Sequence, residues 1–180
     1  FGILARAAYN ARMSGALKVL QPGLLTTVQD LGRHGGQRFG IPVSGALDLV
    51  ALKVANIVAG NPESTAALEM ALVGSLLEVA AESVRAVVAG GTTELHVIRG
   101  GEVTRVLPLE SVRLVRGEQL RIPAITGSAV AVLAIEGGID VKAFFGSRST
   151  YVRGGFGGFE GRALREGDLV PLATDTAPER

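Results

Sequence analysis

Between Pro62 and Gly137 the chain breaks into short runs of β type, and this limits the possible folds more than any other feature. The runs are Ala66–Leu72, Leu76–Ala80, Val84–Ala89, Glu94–Ile98, Val103–Leu107, Ser111–Val115, Gln119–Ile122 and Ala129–Ile135. Glycines and short polar breaks separate most of them at intervals of about 8–12 residues, the rhythm of a sandwich or barrel. In Glu94-Leu95-His96-Val97-Ile98 and Ser111-Val112-Arg113-Leu114-Val115, polar residues take every second place. Successive side chains of a strand point to opposite faces, so one face is buried and the other wet, as in antiparallel sheets. A further short strand is expected at Leu169–Leu172. The predicted architecture is mainly β.

One helix is expected, at about residues 45–59. Leu47, Val50, Val54, Ile57 and Val58 recur at spacings of three and four. Ser44 can cap the first turn through its hydroxyl, and Gly60-Asn61-Pro62 is a stop signal. Leu49, Leu52 and Ala55 lie off the main stripe, so the helix is apolar nearly all round and is expected to be covered on most sides. Asp48 and Asn56 share one of its faces with Leu52.

Composition removes several classes of protein. Of the 180 residues 47% are apolar, which excludes a disordered chain, and the 25 glycines follow no repeat. Eighteen basic and 17 acidic residues nearly cancel, so no electrostatic footprint for nucleic acid results. The absence of cysteine removes disulfides, zinc–cysteine sites and thiol nucleophiles, and suits a reducing cytoplasm. The longest apolar run, Ala129–Ile135, is far short of the ~20 residues of a spanning helix. Residues 1–12 precede Met13 and read as upstream sequence or a cloning remnant, outside the fold. Residues 13–174 are expected to form the domain, and 175–180 (DTAPER) read as a linker.

Three stretches can carry chemistry. In the first, Gln29, Asp30, Arg33 and His34 cluster before Gly35-Gly36. A carboxylate, a guanidinium and an amide so close either hold a planar polar ligand by paired hydrogen bonds or pair with each other on the surface. The second is the helix start, where Ser44 and Asp48 either meet a ligand with the first-turn amides or merely cap and complement the dipole. The third is Gly154-Gly155-Phe156-Gly157-Gly158. It lacks the Lys-Ser/Thr of a phosphate-binding loop and opens no helix, but its glycines allow close backbone approach to a ligand or another chain. Arg148, Ser149, Thr150 and Tyr151 before it offer a polar lining, or the whole is a plain turn. His34 and His96 have no metal-ligand rhythm with nearby acidic residues, and no metal site is expected. No G-x-S-x-G elbow supports a triad of Ser44, His34 and Asp48.

PGLLTTVQDLGR (22–33), GIPVSGALD (40–48), GNPESTAALEM (60–70), IEGGI (135–139) and GSRSTY…GGFGG..GR.L..GD (146–168) follow one another in an order that resembles a known family. It is the carboxyltransferase-type family once called allophanate hydrolase subunit 2. That family includes the C-type component of bacterial 5-oxoprolinase, the antagonist of the sporulation-kinase inhibitor and the carboxyltransferase domain of urea carboxylase. The resemblance runs from Val19 to Leu172. Two departures stand out: the family's members continue into a second barrel-like half, to which 175–180 would be the linker, and Ala46 stands where the family commonly has proline.

The resemblance implies a cyclophilin-like β-barrel with one buried helix, and a cytoplasmic protein working with a second subunit of related fold. Such a complex couples ATP hydrolysis to opening of the 5-oxoproline lactam, giving glutamate, with the ATP site not located in this chain. The alternatives are a urea carboxylase domain receiving a carboxyl group from carboxybiotin, or a non-catalytic regulator that binds a kinase-inhibitor partner. Under the first reading Gln29, Arg33, Ser44, Asn56, Tyr151 and Gly157 are expected to bind substrate, with Asp48 and Arg148 catalytic. Asp48 would take an amide N–H, and Arg33 or Arg148 would polarise a carbonyl or hold a carboxylate.

Overall fold

The computed structural model describes residues 15–179; the expectation for residues 1–12 lies outside them. Eleven strands and one α-helix follow in order: β1 (Gly15–Gln21), β2 (Leu25–Gln29), α1 (Leu49–Ala59), β3 (Ala67–Ala71), β4 (Leu76–Val79), β5 (Ser83–Ala89), β6 (Leu95–Arg99), β7 (Glu102–Val106), β8 (Val112–Val115), β9 (Gln119–Arg121), β10 (Val130–Ile135) and β11 (Leu169–Leu172). They form a six-stranded sheet, β11-β1-β4-β9-β6-β7, and a five-stranded sheet, β2-β3-β10-β5-β8. Every strand pairing is antiparallel. The fold is mainly β as expected, with two sheets that do not close on each other and a single α-helix among the described residues.

The core lies between the sheets. Leu17, Val19, Leu77, Leu95, Val97 and Leu120 of the larger sheet meet Val28, Leu68, Met70, Val88 and Leu133 of the smaller. The alternation predicted in β6 is present, with Leu95 and Val97 buried and His96 and Ile98 partly exposed. The continuous apolar run at 129–135 has a different cause. β5 and β10 sit in the middle of the smaller sheet and are buried at every position. One face looks into the core, and part of the other lies under α1, where Ala51, Leu52, Ala55 and Ala59 pack on Ala67, Val87, Ala89, Val132 and Ala134. These small side chains let helix and sheet approach closely.

Two expectations for the helix are corrected. The helix starts at Leu49, and its cap is Asp48, whose carboxylate accepts from Ala51 N at 2.9 Å; Ser44 does not cap. The helix is covered on one side only: of its expected stripe, Leu47, Val50 and Ile57 are exposed, because the alanine face fits the sheet. β1 and β2 lie outside the runs expected as strands. In β2 the polar Thr26, Thr27 and Gln29 are all buried, which erases the period-two signal. Burial there comes from a strand edge covered by later chain, with Thr150 N donating to Val28 O (2.9 Å) and Leu164 N to Thr26 O (2.8 Å). Residues 177 and 178 contact the smaller sheet. Ala177 is 3% exposed, its N–H donates to Ser83 Oγ (3.0 Å), and Arg85 Nη2 donates to Pro178 O (2.7 Å).

Candidate functional site

Asp30 ties the first and third motif stretches together. Its Oδ1 accepts from Gly32 N (2.8 Å), Ser147 Oγ (2.7 Å) and Ser149 Oγ, and its Oδ2 accepts from Arg148 N (2.6 Å). Burial pushes this carboxyl up, but the Ser149, Ser147, Arg148 and Gly32 donors outweigh it and hold the group below its ordinary value. Asp30 does not form a surface pair with Arg33. It is the buried pin that holds residues 147–149 against the end of β2.

Arg33 is the most unusual group of this knot. Its side chain is 1% exposed. Nε donates to Phe144 O (3.4 Å), Nη2 donates to Ser149 O, and the guanidinium lies 5.2 Å from the Phe156 ring centroid. Nη1 is buried without a partner. Burial lowers the Arg33 pKa, and the nearby Asp30 charge opposes that shift. Tyr151 meets the same Phe156 ring edge-on at 5.3 Å. Gly157 (φ +71°) closes against this group: a Cβ there would collide with the Ser149 carbonyl and reach 2.7 Å from Arg33 Nη2. The glycines of 154–161 do permit close backbone approach, but the approach at Gly157, Gly158 and Gly161 is to Ser149, Thr150 and Gly155 of the same chain.

A second polar group lies on the outer face of the smaller sheet, beside the start of α1. In the β2–β3 register Thr27 faces Glu69 and Gln29 faces Ala67. Gln29 is 7% exposed; its Nε2 donates to Thr27 Oγ1 (3.0 Å) and Thr150 O (3.3 Å), and its Oε1 is buried without a partner. Glu69 Oε1 accepts from Leu47 N (2.7 Å) and Asp48 N (3.3 Å). Burial raises the Glu69 carboxyl above its ordinary value, the Asp48 charge adds to this, and the two amides counter it in part. Sequence reading passes over Glu69. The available signal is one carboxylate inside the otherwise apolar run Ala66–Leu72.

The predicted residues therefore divide. Gln29, Arg33, Tyr151 and Gly157 gather around 149–151, and Asp48 stands beside Glu69 at the helix start. Ser44 lies over Gly32 with a left-handed backbone (φ 55°), its carbonyl 2.9 Å from where a Cβ on Gly32 would sit. Asn56 is 0% exposed and does not line the site: Nδ2 donates to Thr65 O (2.8 Å) and Oδ1 accepts from Asn61 Nδ2 (3.0 Å), which locks the helix end to the following turn. Arg148 contributes its backbone to Asp30, while its half-exposed side chain turns to Val141 O (2.9 Å) and Asp140 Oδ1 (3.9 Å). His34 is exposed, and His96 lies 3.3 Å from Glu94 Oε2. Among the described residues no group of three or more His, Cys, Asp or Glu side chains is arranged to hold a metal, and no helix is long and apolar enough to cross a membrane.

Known proteins are similar to this chain in sequence and fold. Urea amidolyase of Saccharomyces cerevisiae is 37% identical over 161 residues, 89% of this chain and 8% of that protein. The C-type component of 5-oxoprolinase from Escherichia coli is 36% identical over 156 residues, 87% of this chain and 49% of that protein. The chain thus spans about half the length of the 5-oxoprolinase component and a small part of urea amidolyase. The crystal structure of Kluyveromyces lactis urea amidolyase superposes with a TM-score of 0.83 at 32% identity, covering 99% of this chain and 12% of the other. The family model described as "Carboxyltransferase domain, subdomain A and B" matches residues 39–180, and the chain belongs to that family.

Proposed function

We propose that this chain is the first half of a C-type component in an ATP-dependent 5-oxoprolinase complex, which opens the lactam of 5-oxoproline to give glutamate. It would work in the cytoplasm with a second subunit of related cyclophilin-like fold. The observation that carries the reading is Arg33: a fully buried guanidinium with two nitrogens on carbonyls and the third, Nη1, unpartnered. Leaving such a donor unmatched costs free energy, and a carboxylate or polarised carbonyl oxygen is its natural complement. 5-Oxoproline carries both. Gln29 and Tyr151 flank the same segment and fit a small planar ligand beside it. Asp48 and Arg148 stay in the proposal as the groups acting at the amide, Arg148 only by turning its side chain from Val141.

The glycine-rich stretch 154–161 does not fit ATP, because Gly157, Gly158 and Gly161 face their own chain. The nucleotide is assigned to the rest of the complex, and no step in this chain runs through it. A second reading, the carboxyltransferase domain of a urea carboxylase, is favoured by the 37% identity to urea amidolyase. Biotin would enter only there, as the carrier of the carboxyl group.

The test is to combine the full-length protein with its neighbouring subunits and follow ATP-dependent glutamate release from 5-oxoproline, with urea as control. Release that stops when this subunit is omitted, and falls at least about tenfold in Arg33→Lys, supports the reading. Turnover of urea alone moves the assignment to the second reading. A stable complex without turnover of either substrate moves it to a non-catalytic regulator.

A further inference from the structure

We propose that Glu69 and Gln29 form a pair of acceptors at the foot of α1 that reads the N–H groups of a small planar amide or ureide. The inference rests on the reading of this chain as part of an amide-handling protein, and it adds a residue and a chemical requirement to it.

Side chains opposite each other in an antiparallel pair share a face, so Thr27 and Glu69 stand side by side, with Gln29 two residues along the same face. The part of that face under α1 is apolar, built of Ala67, Val87, Ala89, Val132 and Ala134. A carboxylate and an amide beside it need an explanation.

The role of helix tether explains only half of Glu69. Its Oε1 is fixed by Leu47 N and Asp48 N, but its Oε2 makes no hydrogen bond among the described residues. Gln29 is an independent observation. Thr150 O can only accept, so the Gln29 amide must turn Nε2 toward it, and the same Nε2 reaches Thr27 Oγ1. That leaves Oε1, in a side chain more than nine-tenths buried, as an acceptor with no donor. One buried acceptor without a donor and, on the neighbouring strand, a half-buried carboxylate oxygen without a protein hydrogen bond suit a ligand that brings N–H groups, and a lactam, carboxamide or urea does so in a plane. The carboxyl is also held partly desolvated near Asp48, a position that structure alone would not favour.

The experiment uses the full-length protein and two lactams that differ only at nitrogen, 2-pyrrolidinone and N-methyl-2-pyrrolidinone, titrated by NMR with the Gln29 side-chain amide as reporter. 2-Pyrrolidinone is expected to bind about tenfold or more tightly than its N-methyl analogue. Glu69→Gln keeps an oxygen for the Leu47 and Asp48 amides but can place a donor where Oε2 stood. It is expected to fold normally and to lose that preference. Equal binding of the two lactams, binding of neither, or a preference that survives in Glu69→Gln overturns the proposal. A preserved preference without turnover in the assembled complex would remove the proposed reaction and leave this site standing. Glutamate release without any N–H preference would remove the site alone.

Discussion

Asp30→Asn tests whether one buried carboxylate organises the candidate site. The carboxylate accepts four hydrogen bonds, from Gly32 N, Ser147 Oγ, Ser149 Oγ and Arg148 N. An asparagine oriented to keep its oxygen toward the first three presents its NH₂ to Arg148 N, donor against donor. One charge-assisted bond is lost, its donor is stranded, and the remaining bonds lose the charge that strengthened them. Hydrogen bonds to charged groups are worth about 1.5–3 kcal/mol, and a stranded buried donor costs about 1–3 kcal/mol. Because these contributions overlap, the expected loss is about 3–5 kcal/mol, comparable to breaking a buried pair. At about 2–4 °C per kcal/mol for a chain of this size, Tm should fall by about 6–20 °C. The pH dependence adds a sharper condition. The donors hold the folded-state pKa of Asp30 below its ordinary 3.8 despite burial. Its stabilisation is therefore present above the unfolded-state value and is lost as pH falls through the lower folded-state value. Urea unfolding of both proteins at pH 7 and in steps down through about pH 3 should show a gap that narrows in acid, with unchanged m-values. A gap below about 1 kcal/mol at pH 7, or one of constant size into acid, would refute the reasoning.

Glu69 has the opposite sign. Burial raises its folded-state pKa above 4.5, so its contribution is favourable below the unfolded-state value and is lost as pH rises through the folded-state one. Glu69→Gln should therefore be at least as stable as the parent at pH 7 by thermal unfolding, and a clear loss there would contradict the assigned environment. Gly157→Ala meets both a left-handed backbone and the Ser149 carbonyl, and should cost about 2–5 kcal/mol, whereas Gly155→Ala faces open space and should cost about 1–2 kcal/mol. Equal denaturation midpoints for the two would show that the close approach at Gly157 does not matter. Asn56→Ala should cost about 2–4 kcal/mol in unfolding experiments while leaving 2-pyrrolidinone binding by the folded protein unchanged, since Asn56 serves the helix end. Loss of binding in a properly folded variant would return Asn56 to the site.

How much of the structure is legible in the sequence depends on the range over which each cause acts. Most of strands β3 to β11 announce themselves because burial of one face, or of both in β5 and β10, leaves a pattern within a few residues, whereas β7 is exposed at every position but Val106. β2 gives no such pattern, since its threonines and glutamine are buried by residues 150 and 164, far along the chain. The helix is visible, but its buried side is not. Leu47, Val50 and Ile57 outrank Ala51, Ala55 and Ala59 in hydrophobicity, while the side that packs on the sheet is built of those alanines with Leu52. The candidate site divides in the same way. Gln29, Arg33 and Tyr151 stand out by residue type, and Asp48 by its place at the helix start. Glu69 does not, because its partners Leu47 and Asp48 lie 22 and 21 residues away. Local periodicity and residue type thus suffice for the mainly β architecture, the place of the helix and the motif order of the family. They do not reveal that Asp30 is a buried pin reaching Ser147 and Ser149 across 117 and 119 residues, or that Arg33 Nη1 and Gln29 Oε1 stay unmatched. Those features exist only in the folded chain, because hydrogen-bond closure over such distances follows from sheet pairing and loop docking, which no local pattern encodes.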